Sequence, residues 1–257
     1  AYLSLETPRP GQASQTHIDE IIASLRDSGW QVELFATTSG GASARSSPLR
    51  RLSDYGRVQI ALMRQLNTFD AVFIRSHFMA LPLSLCARWH KLPVVHEING
   101  KPADIGVTYP ALKPLGPVFA WLYRMQYRMA AHLIAVTDGL AAWASTFAGH
   151  DRVSVVSNGA NTELFRPDGP RGEIEGRYMI FVGGLVAWHG IGTMLAALSE
   201  PAWPDDVRLV VVGDGIERSK LEAEANNPRL LWLGRRPYDE VPALLRGALA
   251  SLCVIED

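Results

Sequence analysis

The chain has 257 residues, is 47% hydrophobic and 20% charged, and sets 25 Lys and Arg against 26 Asp and Glu for a formal net charge of -1. That composition suits one large or two medium globular domains with a substantial core. The even charge balance gives no support to nucleic-acid binding, which calls for a basic excess, and no apolar run approaches the roughly 20 residues that cross a bilayer.

Taken in chain order, residues 3–5 read as a strand, followed by the loop ETPRPGQASQ. Ile18, Ile21, Ile22 and Leu25 fall on one helical face, and Gly29 is placed to end that helix. QVELFAT reads as a strand, SGGASARSSPLRR as a polar loop with a basic end, and 52–67 as a helix. A buried strand is expected over 71–74, a helix over 79–91 and a strand at PVVHEI. A long irregular loop, NGKPADIGVTYPALKP, follows, then a helix over 115–131, the strand HLIAV, a helix over 138–148 and the strand VSVV. Alternation of this kind implies a parallel sheet wrapped by helices.

The alternation pauses in SNGANTELFRPDGPRGEIEGR, which is rich in Gly and Pro and is the best linker in the chain. It then restarts with YMIFVG, a helix over 190–199, VRLVVVG, a helix over 216–226, RLLWLG, a helix over 239–248 and the strand SLCVI. The expectation is an α/β protein of two Rossmann-like domains with parallel sheets: 1–165, a linker at 166–176, and an incomplete second domain at 177–257. The chain lacks a starting Met and both ends fall at strands, so truncation at both ends is expected. Cys86 and Cys253, far apart and in no metal spacing, read as buried thiols of a reducing, cytoplasmic compartment.

In open parallel sheets, ligands sit beyond the carboxyl ends of the strands. That rule selects Gly11, His77, His96 with Glu97, Asn158 with Gly159, Gly183 with Gly184, and the runs Gly213-Asp214-Gly215 and Gly234-Arg235-Arg236. The stretch IFVGGLVAWHGIGTML runs strand, glycine turn, helix, the arrangement that lets backbone N–H groups converge on an anion. It is neither G-x-G-x-x-G nor a Walker loop, and no Lys or Arg lies in the turn. Each glycine pair taken singly is equally a tight strand-to-helix turn.

Together the motifs are more specific. VVSNGANTELFRP, FVGGLVAWHGIGTMLAAL, LVVVGDGIERSKLEAEA and LLWLGRRPYDEVPALLRGA, in that order, resemble the C-terminal half of retaining nucleotide-sugar glycosyltransferases of family four. PGQASQTHIDEIIASLRDSGWQVELFA and LPVVHEING are similar to the glycine loop, first helix and strand-end His motif of the first half. The resemblance implies the GT-B fold, with a nucleotide-sugar donor held in the cleft between two Rossmann-like domains.

It also implies site residues. Gly183, Gly184, His189 and Gly190 would seat the donor diphosphate, with Gly184 and His189 standing where an Arg and a Lys are usual. The helix end beginning near Gly190 and a His189 imidazolium would then replace those cations. The other reading of Trp188 and His189 is that they pack the turn. His96 would lie beside the donor sugar as the catalytic-site histidine, against a structural role at a strand end; Glu97, Asn99, Asn158 and Asp214 are further cleft candidates. Gly11, with Ser14 or Gln15, would approach the phosphates, and Gly234 and Arg235 would pass the nucleobase. The paired glutamates that grip the donor in such enzymes are expected beyond Asp257, Glu256 being too early, so the chain as it stands is expected to bind donor poorly and turn over little.

Neither a metal nor another cofactor is implied, since no Asp-x-Asp pair ends a strand. The expected partners are the donor and a glycan or lipid-linked acceptor. Segment 110–132 mixes Trp121, Tyr123 and Tyr127 with Lys113, Arg124 and Arg128, and Arg45, Arg50, Arg51 and Arg57 form a second basic cluster. Aromatics beside cations suit a peripheral contact with an anionic inner membrane face, or else an ordinary helix with one solvated side. Two other functions share this architecture: a nucleotide-sugar epimerase using His77, His96 or Glu97 as acid and base, and a degenerate, non-catalytic sugar-nucleotide binder.

Overall fold

Short apolar strands alternate with helices throughout the computed structural model, which describes residues 1–6, 13–37, 48–224 and 226–256. Gly11 and Arg45 lie outside the described residues. The chain divides into two compact units, Ala1–Gly159 and Ala160–Asp257.

The first unit runs β1 (Tyr2–Ser4), α1 (Ala13–Asp27), β2 (Leu34–Ala36), α2 (Pro48–Met63), β3 (Val72–Arg75), α3 (Leu81–Trp89) and β4 (Val94–Ile98). It continues with α4 (Asp104–Thr108), α5 (Gly116–Met129), β5 (His132–Ala135), α6 (Asp138–Ala148) and β6 (Val153–Val155). The six strands form one parallel sheet in the order β2-β1-β3-β4-β5-β6. Strands of such a sheet are covered on both faces, so they read as continuous apolar runs rather than alternating ones. Tyr2, Leu3, Val72, Ile74 and Leu133 are all buried on this account. Ile18 and Ile22 of α1 pack on Tyr2, and the helix stops at Gly29 as its sequence predicts. Thr137 caps α6 by accepting the Leu140 N–H at 3.2 Å, satisfying one free donor of the first turn.

The second unit runs β7 (Arg177–Val182), α7 (Ile191–Ala197), β8 (Val207–Val212), α8 (Arg218–Ala223), β9 (Leu230–Gly234), α9 (Val241–Gly247) and β10 (Ala250–Ser251). Its parallel sheet is ordered β10-β7-β8-β9. In both sheets the chain reverses its direction of travel beside the first strand, between β1 and β3 and between β7 and β10. Such switch points open a crevice at the carboxyl ends of the strands.

Four expectations change. The segment 166–176, read as a linker, is tied to the second unit: Gly172 N–H donates to Ala243 O at 2.7 Å, and Arg246 donates to the carbonyls of Pro170 and Arg166. The expected loop after β4 contains α4 and a 3₁₀ segment, Pro110–Leu115. The last strand is only two residues long, because past Ser251 the chain turns toward Trp188, whose carbonyl accepts the Glu256 N–H at 2.9 Å. The two cysteines are free but not buried thiols: Cys86 is half-buried and Cys253 is exposed just past the short edge strand.

Candidate functional site

At the switch point of the first sheet, an otherwise apolar strand β3 ends in Arg75 and the buried strand β4 carries Glu97. A charge is retained in such a place only if it is paired and hydrogen-bonded. Glu97 is 2% exposed, and its carboxylate meets four donors. Oε1 accepts from His17 Nε2 at 2.6 Å, Asn99 Nδ2 at 2.6 Å and Arg75 Nη1 at 2.9 Å. Oε2 accepts from Tyr2 Oη at 3.1 Å. Arg75 Nε also faces Glu6 at 3.0 Å, at the mouth of the first loop. Burial pushes the Glu97 carboxyl up, but the bonds from His17 and Asn99 and the charge of Arg75 outweigh it and hold it below the ordinary range. Burial, followed by the Glu97 charge, pushes the Tyr2 phenol up.

The neighbouring residue has the opposite fate. Successive side chains of a strand leave by opposite faces, and His96 enters the layer of α3 and α5. There it is fully buried, 3.5 Å from Ser84 Oγ and edge-on to Tyr127. Its Nδ1 has no partner among the described residues, and burial lowers its pKa to about 3. His96 is therefore a neutral, enclosed histidine here, which favours its structural reading at the strand end over contact with a donor sugar. His77 is likewise neutral, its pKa lowered by burial to about 4, with Nδ1 accepting the Met79 N–H at 3.2 Å. Gln15 spends its amide on Asp19 at 2.8 Å. Asn158 is exposed at the end of the first unit.

In the second unit the turn after β7 is built by close backbone approach. The Gly183 N–H donates to Val212 O at 3.0 Å and the Leu185 N–H to Asp214 O at 3.1 Å. Gly213, at φ +142°, lies so close to the Gly183 carbonyl that a Cβ could not be placed there. Asp214 turns its Oδ1 back onto the Gly215 N–H at 2.8 Å, so its carboxylate serves this turn. His189 Nδ1 donates to Gly184 O at 2.6 Å. Because a carbonyl only accepts, that bond fixes the tautomer of the neutral ring and leaves Nε2 without a hydrogen bond among the described residues. Gly190, at φ +54°, starts α7 and backs onto Val254. Thr193 Oγ donates to the Glu256 carboxylate, which therefore rests at the start of α7. Gly234 accepts the Gly213 N–H at 2.8 Å, and Arg235 beyond it is exposed.

The structure thus brings Glu97 and Asn99 together at the first switch point, and Gly183, Gly184, His189, Gly190 and Asp214 together at the second. Sequence reasoning missed Tyr2, Glu6, His17 and Arg75. The available signal was Arg75 itself, a charge closing a strand of buried apolar residues. Of the four aromatics in 110–132, Phe119 and Tyr127 are buried and Tyr123 packs on Tyr127 with its phenol pushed up to about 12 by burial, so Trp121 alone is exposed. No helix among the described residues is long and apolar enough to cross a membrane, and no group of three or more His, Cys, Asp or Glu among them is arranged to hold a metal ion.

Two parallel Rossmann-like units in one chain, each with polar or glycine-rich turns at its switch point, define a GT-B-type glycosyltransferase fold. Solved structures of that class superpose on nearly the whole chain. HepE of Anabaena, crystallised with UDP-glucose, matches 97% of this chain and 72% of its own at TM-score 0.65 and 15% identity. Sucrose-phosphate synthase of Thermosynechococcus elongatus matches 98% and 74% at TM-score 0.75 and 13% identity. WaaG, a glycosyltransferase of lipopolysaccharide biosynthesis, matches 100% and 75% at TM-score 0.71 and 16% identity. No curated protein matches by sequence. The family model for Glycosyltransferase Family 4 matches residues 14–164. The chain belongs to glycosyltransferase family 4.

Proposed function

We propose that the protein transfers a sugar from a nucleotide-sugar donor to a glycan or lipid-linked acceptor with retention of configuration, and that no metal takes part. Family membership gives the transferase. The observation that carries the donor reading is the turn at Gly183–Gly190. Its histidine is held by Nδ1 on the Gly184 carbonyl, which leaves Nε2 uncommitted among the described residues. A phosphate beside that ring favours the imidazolium form, whose Nε2–H donates to it. The start of α7 already receives an anion, the chain's own Glu256 carboxylate. With the usual Arg and Lys absent, His189 is the cation that would steady the leaving diphosphate, and electrostatic support of that group is what the reaction most needs.

The epimerase reading lacks its acid and base at the residues considered for it. His96 is buried and His77 half-buried, both with lowered pKa values, and Glu97 is ionised with both oxygens engaged. Glu97 is better read as a positioning residue that clamps β1, α1, β3 and the turn after β4 at the switch point. The membrane-facing role of 110–132 retains Trp121, Arg124 and Arg128 on the exposed side of α5. The test is nucleotide release by the full-length protein from UDP-, GDP-, ADP- and CMP-sugars, with and without acceptor, followed by the anomeric configuration of the product. Release that requires acceptor and a retained anomer support the proposal. Binding without turnover of any donor would favour the non-catalytic binder, and an inverted anomer would remove the retaining mechanism.

A further inference from the structure

At the other end of β4 from Glu97, the amino-terminal edge of the first sheet carries a second concave feature. The ends of α3 and α5 and the segments leading into β4, β5 and β6 enclose a groove of about 610 Å³. Arg88, Lys91, Arg128 and Arg152 line it above a floor that includes Leu92 and Met129, and no carboxylate is among its lining residues. Arg152 spends one Nη2 bond on the Ala130 carbonyl at 3.1 Å. Arg88, Lys91 and Arg128 are exposed, and their side chains make no hydrogen bond or ion pair with the described residues.

Cations in the last turn of a helix complement its dipole, and that accounts for Arg88 and Arg128 singly. It does not account for four cations around one groove, where like charges repel unless an anion joins them. Lys91 adds a second observation. It sits just past the end of α3 at φ +57°, a left-handed position where glycine is the unstrained residue. A lysine there accepts backbone strain and gains a charge over the groove.

We propose that this groove is a binding site for a phosphate-bearing group, two or three guanidinium and ammonium groups sharing its oxygens. Guanidinium forks match phosphate geometry, and the apolar floor admits the non-phosphate part of the ligand. The group is carried either by a soluble phosphoester or by the headgroup of an anionic lipid. The site lies outside the donor reading and stands or falls without it.

The test compares the wild-type chain with Arg88→Ala/Arg128→Ala, both positions being exposed, and with the exposed pair Arg64→Ala/Arg171→Ala as a charge-matched control. Inorganic pyrophosphate binding is measured by titration calorimetry in the His189→Ala background, which removes the proposed donor-phosphate contact. Flotation is measured with phosphatidylcholine vesicles with and without phosphatidylglycerol. The expected result is binding that weakens with salt and drops about tenfold or more in the groove variant, with unchanged circular dichroism and no change in the control. Pyrophosphate binding alone assigns a soluble ligand, and phosphatidylglycerol-dependent flotation alone assigns a headgroup. Failure of the wild type to bind either, or equal binding by the groove variant, overturns the proposal.

Discussion

Arg75 and Glu97 face each other as register partners on adjacent parallel strands, with Nη1 2.9 Å from Oε1. Both are nearly enclosed, at 8% and 2% exposure, so each is the condition for burying the other. Such a pair adds little net stability when compared with apolar residues, but removing one partner leaves an uncompensated charge in the core.

Glu97→Ala is therefore expected to lower the unfolding free energy by about 3–5 kcal/mol. It strands Arg75 and releases the bonds of His17, Asn99 and Tyr2. Glu97→Gln, which keeps an acceptor of the same shape, is expected to lose less. Urea denaturation of the three proteins checks this, and a loss below about 1 kcal/mol for the alanine variant would mean that the cluster is solvated and works like a surface ion pair.

Two desolvated histidines, one buried and one half-buried, set the acid response. Both His96 and His77 have folded pKa values depressed, to about 3 and about 4, from an unfolded value of 6.5. A depressed group contributes stability that is present above its unfolded value and lost as pH falls toward its folded one. Near pH 5 unfolding should take up about two extra protons, a slope of about 2.7 kcal/mol per pH unit. His96→Gln should halve that slope. Glu97, also depressed, adds its own loss only below its ordinary value of 4.5. Stability measured from pH 7 to pH 5 that stayed flat would show that these histidines protonate in the folded state.

His189 rests on one exposed bond to Gly184, so His189→Ala should cost no more than about 1 kcal/mol of stability. If the ring steadies a diphosphate, the same change should weaken UDP or GDP binding about tenfold or more, the worth of one charge-assisted hydrogen bond. Turnover of the full-length enzyme should fall with it. A variant that unfolds the second unit while its remaining folded fraction binds nucleotide normally would make the ring part of the turn's architecture.

Two glycines should respond in opposite directions. Gly213→Ala forces a Cβ onto the Gly183 carbonyl at φ +142°, and the backbone conformation alone costs roughly 1–3 kcal/mol. Gly56 lies inside α2 with open space around its Cα. Gly56→Ala should therefore stabilise the protein by about 0.5–1 kcal/mol. Thermal melts of both variants separate a glycine needed for close approach from one that only loosens a helix.

Much of the fold was legible because its signals are local. The apolar runs at 71–74, 132–136 and 207–213 mark strands, and Ile18, Ile22 and Leu25 mark a helix face, without reference to anything distant. The bonds of segment 166–176 were not legible, because its Gly and Pro content describes a turn-rich path but not the carbonyls of Arg166 and Pro170 that receive Arg246. Glu256 was dismissed as too early for a donor contact, and its bonds to Trp188 and Thr193 depend on how the chain returns to the turn.

The sequence by itself determined the alternation of strands and helices, the division into two parallel α/β units, the glycine turn after β7 and the family. Each of these is written in residue spacing over a few turns of chain. It also required His96 and Glu97 to leave β4 by opposite faces, since adjacent residues of a strand must. Only the tertiary structure decided which face was which. The partners that settle the matter are remote: Arg75 is 22 residues from Glu97, His17 is 80 and Tyr2 is 95, while Ser84 and Tyr127 enclose His96 from two other helices. Strand order and register bring those residues together, and no local pattern encodes either.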